Sequence, residues 1–277
     1  PPPPPPPTPT LSIDRRQRMC IRDRSNTAVS TLRIKCASLI FILLLAHTNA
    51  TAESNTVAEI AQTPFEVSYQ AKLMGTKLTA ESGLQQLETG EFEYHYNTSS
   101  MLGKATEKSR FALADAGQLM PLAYRYKLAA MGVKKRITLA FDWPAGRVSD
   151  RAAKPQWTME LPSGALDPLS MQLQLRSDVM HGETQLTYAV IRNGRIKEYH
   201  FDVEAEEIID TQIGPLRTLR IKRDRGDDSE KFTRIRLAVD WSYLIAKIRD
   251  GKVDGGHQEV VLAGGSIDGA RITALQQ

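Results

Sequence analysis

The chain has 277 residues, 41% hydrophobic and 25% charged, with a formal net charge of +4 and a pI near 9.0. Those fractions are those of an ordinary globular protein with room for one large domain or two small ones. The basic balance is confined to the start: seven of the 36 basic and two of the 32 acidic residues precede residue 53, which leaves 29 basic against 30 acidic in the remainder. A body that is close to neutral has no long-range field to gather polyanions, so nucleic-acid binding is excluded as a leading reading.

In chain order, Pro1 to Pro9 is nearly pure proline, and "LSIDRRQRMCIRDR" after it has neither a helical nor a strand period. Residues 1–24 are set apart as a non-native or disordered leader. Residues 31–52 have the anatomy of a secretory signal peptide. Arg33 and Lys35 form a basic start, Cys36 to Ala46 an apolar run, and Ala50-Thr51-Ala52 a cleavage site. The run is shorter than the roughly 20 apolar residues of a spanning helix. A cut after Ala52, a periplasmic location and no membrane span in the mature chain are expected. Cys20 and Cys36 both precede the cut. The mature chain then has no disulfide framework, thiolate nucleophile or zinc–thiolate site. No cofactor is implied.

Residues 53–64 read as a flexible polar linker, and residues 65–277 as one β-rich domain. Phe65, Val67, Tyr69, Ala71 and Leu73 alternate with polar residues, as do Phe92, Tyr94 and Tyr96. Further alternating runs end at Leu113, Leu128, Phe141 and Leu161, each bounded by Gly, Pro or Asp. Leu186, Tyr188 and Val190 lead into Asn193-Gly194, a strong hairpin signal because a type I′ turn needs positive φ at both central residues. Tyr199, Phe201 and Val203 return from it. Glu204 to Glu207 read as a solvated turn. Runs around Leu219 and Ile221, Thr233 to Val239, Ala246 to Arg249 and Glu259 to Leu262 complete the chain.

About eleven strands with a polar half rich in Lys, Arg, Glu and Gln predict a mainly β fold with one wet face and one covered face. The expected architecture is a large curved antiparallel sheet, or a partly closed barrel or cup, with one short helix near 167–180. That helix comes from "SGALDPLSMQLQLRSDVMHGE". As a strand, Met171, Leu173 and Leu175 share a face. As a helix, Asp167 is the N-cap, Pro168 sits at N1, where its missing N–H costs nothing, and His181-Gly182 is the stop. The start and stop chemistry favour the helix. Asp167, Pro168 and Ser170 then form a structural motif. Ser170 has neither Gly-x-Ser-x-Gly around it nor an evident His partner, so a nucleophile is not expected.

"ALDPLSMQLQLR", with Gly182-Glu183, Lys197 to Val203, Glu206-Glu207 and Thr211 to Leu219, resembles the exported bacterial proteins of domain of unknown function 3108, over roughly residues 65–263. The resemblance implies a periplasmic, largely β protein, and it carries no catalytic residues over to this chain.

His95, His181, His200 and His257 are not at metal-ligand spacing. Asp224, Asp227, Asp228 and Glu230 lack EF-hand spacing and are interleaved with Arg223 and Arg225, which reads as a charged loop. Lys134-Lys135-Arg136 reads as a guard on a strand edge, with contact to anionic lipid headgroups as its alternative. Tyr69, Tyr94, Tyr96, Tyr124 and Tyr126 cluster in the early strands. They pack a core or else line an apolar cup for a lipid or a polypeptide. The function expected is that of a non-catalytic periplasmic cell-envelope protein binding an apolar ligand, a lipid or an envelope protein on a curved sheet. The alternative is a hydrolase acting on an envelope polymer through a carboxylate pair.

Overall fold

The sequence alternation is realised as two antiparallel meanders joined along one seam. The structure, a computed structural model, describes residues 56–73, 76–114, 117–226 and 229–276. The leader, the signal segment and its cut, both cysteines, Asp227 and Asp228 lie outside the described residues. The first meander is β1 (Phe65–Leu73), β2 (Thr76–Gln86), β3 (Phe92–Ser100), β4 (Gly103–Leu113), β5 (Leu119–Ala130), β6 (Val133–Asp142), β7 (Arg147–Asp150) and β8 (Trp157–Glu160). The second is β9 (Gln185–Arg192), β10 (Arg195–Thr211), β11 (Gly214–Asp224), β12 (Lys231–Ala238), β13 (Leu244–Lys252) and β14 (His257–Ile267). β1 pairs with β14, so one sheet runs from β8 through the seam to β9, with the short β15 (Ala270–Arg271) also on β14.

The sheet is not closed by a ladder, yet it curls enough to bring its edges together. A Cβ added to Gly194, in the β9–β10 turn, would lie 3.3 Å from the Trp157 ring on β8. Lys135 of β6 donates to the Asn193 side chain at 3.2 Å. Asn193 and Gly194 have φ of 52° and 69°, the backbone that the Asn-Gly pair selects. Leu166 bridges to β9 beside Val190, its N–H donating to the Ala189 carbonyl and its own carbonyl accepting from Ile191. The edge covered in this way is one that would otherwise invite pairing with another chain. The β1–β14 seam is tight: Gly265 has φ 139°, and a Cβ there would come within 2.3 Å of the Glu66 carbonyl, which restricts the position to glycine.

Helix α2 (Pro168–Met180) follows Leu166 and packs against β3, β4, β5 and β9. Leu169, Met171, Leu173, Leu175 and Val179 are all buried, so the helix is apolar on more than one side, as befits a segment enclosed by a sheet. Asp167 caps it. One carboxylate oxygen accepts from the Leu169 and Ser170 amides, and the other from the Ser109 hydroxyl on β4 at 2.6 Å. Ser170 Oγ accepts from the Asp167 amide, completing a reciprocal cap.

The flexible linker expected at 53–64 is instead, over Thr56–Gln62, a helix, α1, which packs on α2 and β2. Ile60 and Ala61, at 1% exposure, supply the apolar contact that a polar reading of the segment overlooked. Glu204 to Glu207 are not a turn. They lie within β10 at a bulge, where the register against β11 shifts between Val203 and Glu206, and Glu207 meets Arg220 and Arg236. Three strands, β2, β7 and the short β15, join those read from the sequence. Among the described residues no helix is long and apolar enough to cross a membrane.

Candidate functional site

Directly opposed residues of neighbouring strands share a face, so the inner face can be followed tier by tier. The lowest tier on β3–β6 is Tyr94, Ser109, Tyr124 and Leu139, and all four are at most 4% exposed. This tier meets α2. Tyr94 donates to Gln172 Oε1 at 3.1 Å, and Ser109 reaches Asp167. The next tier is Tyr96, Glu107, Tyr126 and Ile137, every one half-buried. Above it stand Thr98, Ala105, Leu128 and Lys135, with Lys135 exposed. Burial therefore falls away up a wall that still faces inward. The inward-facing, half-buried region above α2 is termed the chamber.

The chamber wall continues round the sheet. Ala71 lies opposite Leu78 on one side and Val260 on the other, Val260 opposite Ile248, and Ile248 opposite Ile235. Leu78, Tyr96, Tyr126, Ile137, Ile248 and Val260 are partly buried and pack on the core from this side. The turns at that end carry apolar residues in solvent: Met101 between β3 and β4, Met131 between β5 and β6, and Val253 between β13 and β14. Exposed large apolar residues gathered at one rim are unlike the scattered ones of an ordinary surface.

The wall formed by β9, β10 and β11 has a different character. Val190 and Phe201 are buried, and Lys197 opposite Val190, Arg223 opposite Phe201 and Arg192 two residues after Val190 share their side of the sheet, with Arg223 half-buried and Arg192 and Lys197 exposed towards its open end. Arg195 lies opposite Arg192. The Arg223 guanidinium stacks 3.7 Å from the centre of the Tyr199 ring, and Arg192 donates to the Tyr199 hydroxyl at 3.1 Å. The nearby acidic residues Glu198, Asp202 and Asp224 occupy the alternate, outward positions. Outward-facing arginines elsewhere are paired, Arg220 with Glu204 and Arg236 with Glu207. Among the described residues, Arg192, Arg195, Lys197 and Arg223 make no ion pair.

Glu107 faces this basic wall from β4. Burial pushes its carboxyl above the ordinary carboxylate range, while a hydrogen bond from the Tyr124 hydroxyl and the Arg192 charge work in the other direction. Burial also raises Asp167, against the hydrogen bonds it accepts. Both Asp167 oxygens are occupied by capping and by Ser109, so this carboxylate has no geometry for acid–base exchange with a substrate. At the floor, Arg176 of α2 is 1% exposed. It donates to the Ser242 carbonyl at 3.0 Å and lies 5.1 Å from the Phe65 ring centre, and burial lowers its pKa.

The five tyrosines singled out by sequence divide between core and chamber. Tyr69, Tyr94 and Tyr124 are buried, and Tyr69 donates to the Ile245 carbonyl at 3.0 Å. Tyr96 and Tyr126 reach the chamber tier. Two hollows lie elsewhere, of about 460 Å³ beside Trp143, Arg147 and Arg151 and about 490 Å³ beside Gln70, Lys77 and Asp210, and none of the five lines either. His95 lies near Glu66, His181 caps α2 through the Ser177 carbonyl, His200 bonds Thr187, and His257 lies beside Arg249. Lys134 to Arg136 sit where β6 runs beyond its pairing with β7. The basic inner wall was missed because Arg and Lys were assigned to the wet face. The signal was present in the shared parity of Arg195, Lys197, Tyr199 and Phe201.

The fold defines a barrel-like antiparallel protein with an internal helix. The chain belongs to the family described as "Protein of unknown function (DUF3108)", whose profile matches residues 65–259. It is similar in fold to the crystal structure of a beta-barrel-like protein of domain of unknown function DUF1849 from Brucella abortus. The TM-score is 0.52 at 10% identity, with 74% of this chain and 98% of that chain covered. A looser likeness, with a TM-score of 0.16 at 11% identity, links it to MucB in complex with MucA(peri), covering 79% of this chain and 94% of that one. Among curated proteins, none matches the chain in sequence.

Proposed function

We propose that this is a non-catalytic binding protein of the cell envelope, exported to the periplasm, that holds an apolar ligand in the chamber above α2. The observation that carries the reading is the tier of inward-facing but half-buried residues, Tyr96, Tyr126, Ile137, Ile248 and Val260. A well-packed interior leaves few voids, and an apolar inner surface open to water is stabilised by whatever excludes that water. The apolar rim at Met101, Met131 and Val253 suits transfer of a poorly soluble ligand into the chamber. Export rests on the basic start, the apolar run and Ala50-Thr51-Ala52.

The test is expression with the native leader in a Gram-negative host, followed by periplasmic release, N-terminal sequencing and native mass spectrometry. The expected product begins near Glu53 and carries a co-purifying apolar molecule that organic solvent removes. An intact apolar segment in the cytoplasmic fraction would overturn the location. A protein without bound ligand that also fails to bind a hydrophobic fluorophore would overturn the binding role.

A further inference from the structure

We propose that the chamber takes an anionic amphiphile, a membrane lipid whose hydrocarbon chain lies on the β1–β6 wall and whose carboxylate or phosphate head meets Arg192 and Arg223. This rests on the chamber-binding reading above and names the chemistry of its ligand.

The two walls are chemically opposite. Tyr96, Tyr126, Ile137 and Leu78 offer hydrocarbon and ring surface. Arg192, Arg195, Lys197 and Arg223 form a basic strip in which no inward position of β9 from Leu186 or of β10 to Val203 is acidic. The body of the protein is close to neutral, so this strip is a local choice rather than a general excess of positive charge. Cations held close together repel one another, and the Arg223 pKa is lowered by its burial and then by Arg225. Outside the chamber such a cost is offset by carboxylates, as at Arg220 and Arg236. Inside it, among the described residues, Arg223 has the Tyr199 ring and no carboxylate, and its buried Nε has no hydrogen-bond partner. Arg192 is oriented by the Tyr199 hydroxyl, so one aromatic ring positions both guanidinium groups. Two fixed planar donors suit an oxyanion, because a guanidinium presents paired N–H groups to two oxygens at once.

Glu107, an inward-facing acid on β4, does not disable the strip. It is tied to the Tyr124 hydroxyl and forms no ion pair within 4.0 Å of Arg192. Among the described residues of this region, Arg225 has an internal partner, Asp250 at 3.5 Å, together with the Thr233 hydroxyl. The head group is therefore assigned to Arg192 and Arg223. A neutral apolar ligand would fill the chamber but leave both without a counter-charge.

The experiment compares dansylated undecanoate with its methyl ester, probes alike in chain and fluorophore but differing in charge. Both are titrated by fluorescence into the mature protein at neutral pH and low salt. The carboxylate is expected to bind about tenfold tighter or more, since charged hydrogen bonds are worth that much in a partly desolvated site. In the Arg192→Gln/Arg223→Gln double variant the preference should fall to within about twofold while ester affinity holds, the latter showing that the chamber is still folded. Arg192→Lys should retain most of the preference, and added salt should weaken it. Equal binding of acid and ester by the wild type would overturn this inference and leave the chamber reading standing. Failure to bind either probe would overturn both. A preference that survives in the double variant would overturn the assignment to these two arginines.

Discussion

Asp167 shows how one side chain can serve two elements. It satisfies two free amides of α2 and also accepts the Ser109 hydroxyl, which ties the helix start to β4. Asp167→Ala should therefore cost more than a simple cap, which is worth about 0.5–2 kcal/mol, because it also strands a buried hydroxyl at about 1–3 kcal/mol. Ser170→Ala removes the reciprocal half of the cap and should cost less, and Pro168→Ala least. Urea midpoints of the three variants give the order, and a larger loss for Ser170 than for Asp167 would contradict it. Glu107 yields a prediction in pH. Its folded pKa is raised, so the stability it contributes is present below the ordinary carboxylate range and is lost as pH rises through the folded value. The groups around it, Tyr96, Tyr124, Tyr126, Asp167 and Arg192, include no cation close enough to reverse that direction. Glu107→Gln should flatten the fall in urea midpoint between mildly acidic and neutral pH. An unchanged pH profile would show that Glu107 ionises at no cost.

At the scale of elements, α1 and α2 form the covered floor of the chamber. α1 was invisible to period because it is a single short helix, whose buried Ile60 and Ala61 are adjacent rather than spaced by a turn. Ile60→Ala should cost about 2–5 kcal/mol, the usual range for emptying a core site, and lower the urea midpoint accordingly. A flexible linker would show no such loss. By contrast, α2 was legible from Asp167-Pro168 and His181-Gly182, since capping chemistry is local and survives in the sequence. The β9–β10 hairpin was legible for the same reason. β2 was hidden because two of its inward positions, Ala80 and Ser82 between Leu78 and Leu84, are small and contrast little with their neighbours. Glu204 to Glu207 misled because a bulge breaks the two-residue period exactly where a strand passes from one ladder to the next.

At the scale of the whole domain, sequence patterning captured a mainly antiparallel curved sheet but left the seam unread. Pairing of Phe65 with Ile267 joins residues that no local rule connects. The chamber was half legible. Its aromatic wall could be named from alternation, whereas its basic wall required knowing which parity faces inward at Arg192 and Arg223. That knowledge comes from Val190 and Phe201 being buried, a fact of tertiary packing. The seam also inverts the usual expectation about chain ends. In most sheets a terminal strand can fray or be trimmed, because it is an outermost ribbon. Here β14, although last of the long strands, stands between β13 and β1 in the middle of the order. Trimming it would split the sheet into two half-shells with raw backbone edges facing each other, while the true outer ribbons, β8 and β9, lie deep within the chain. A circular permutant opened between them would keep every ladder intact, and the loss of a few residues near 260 would not.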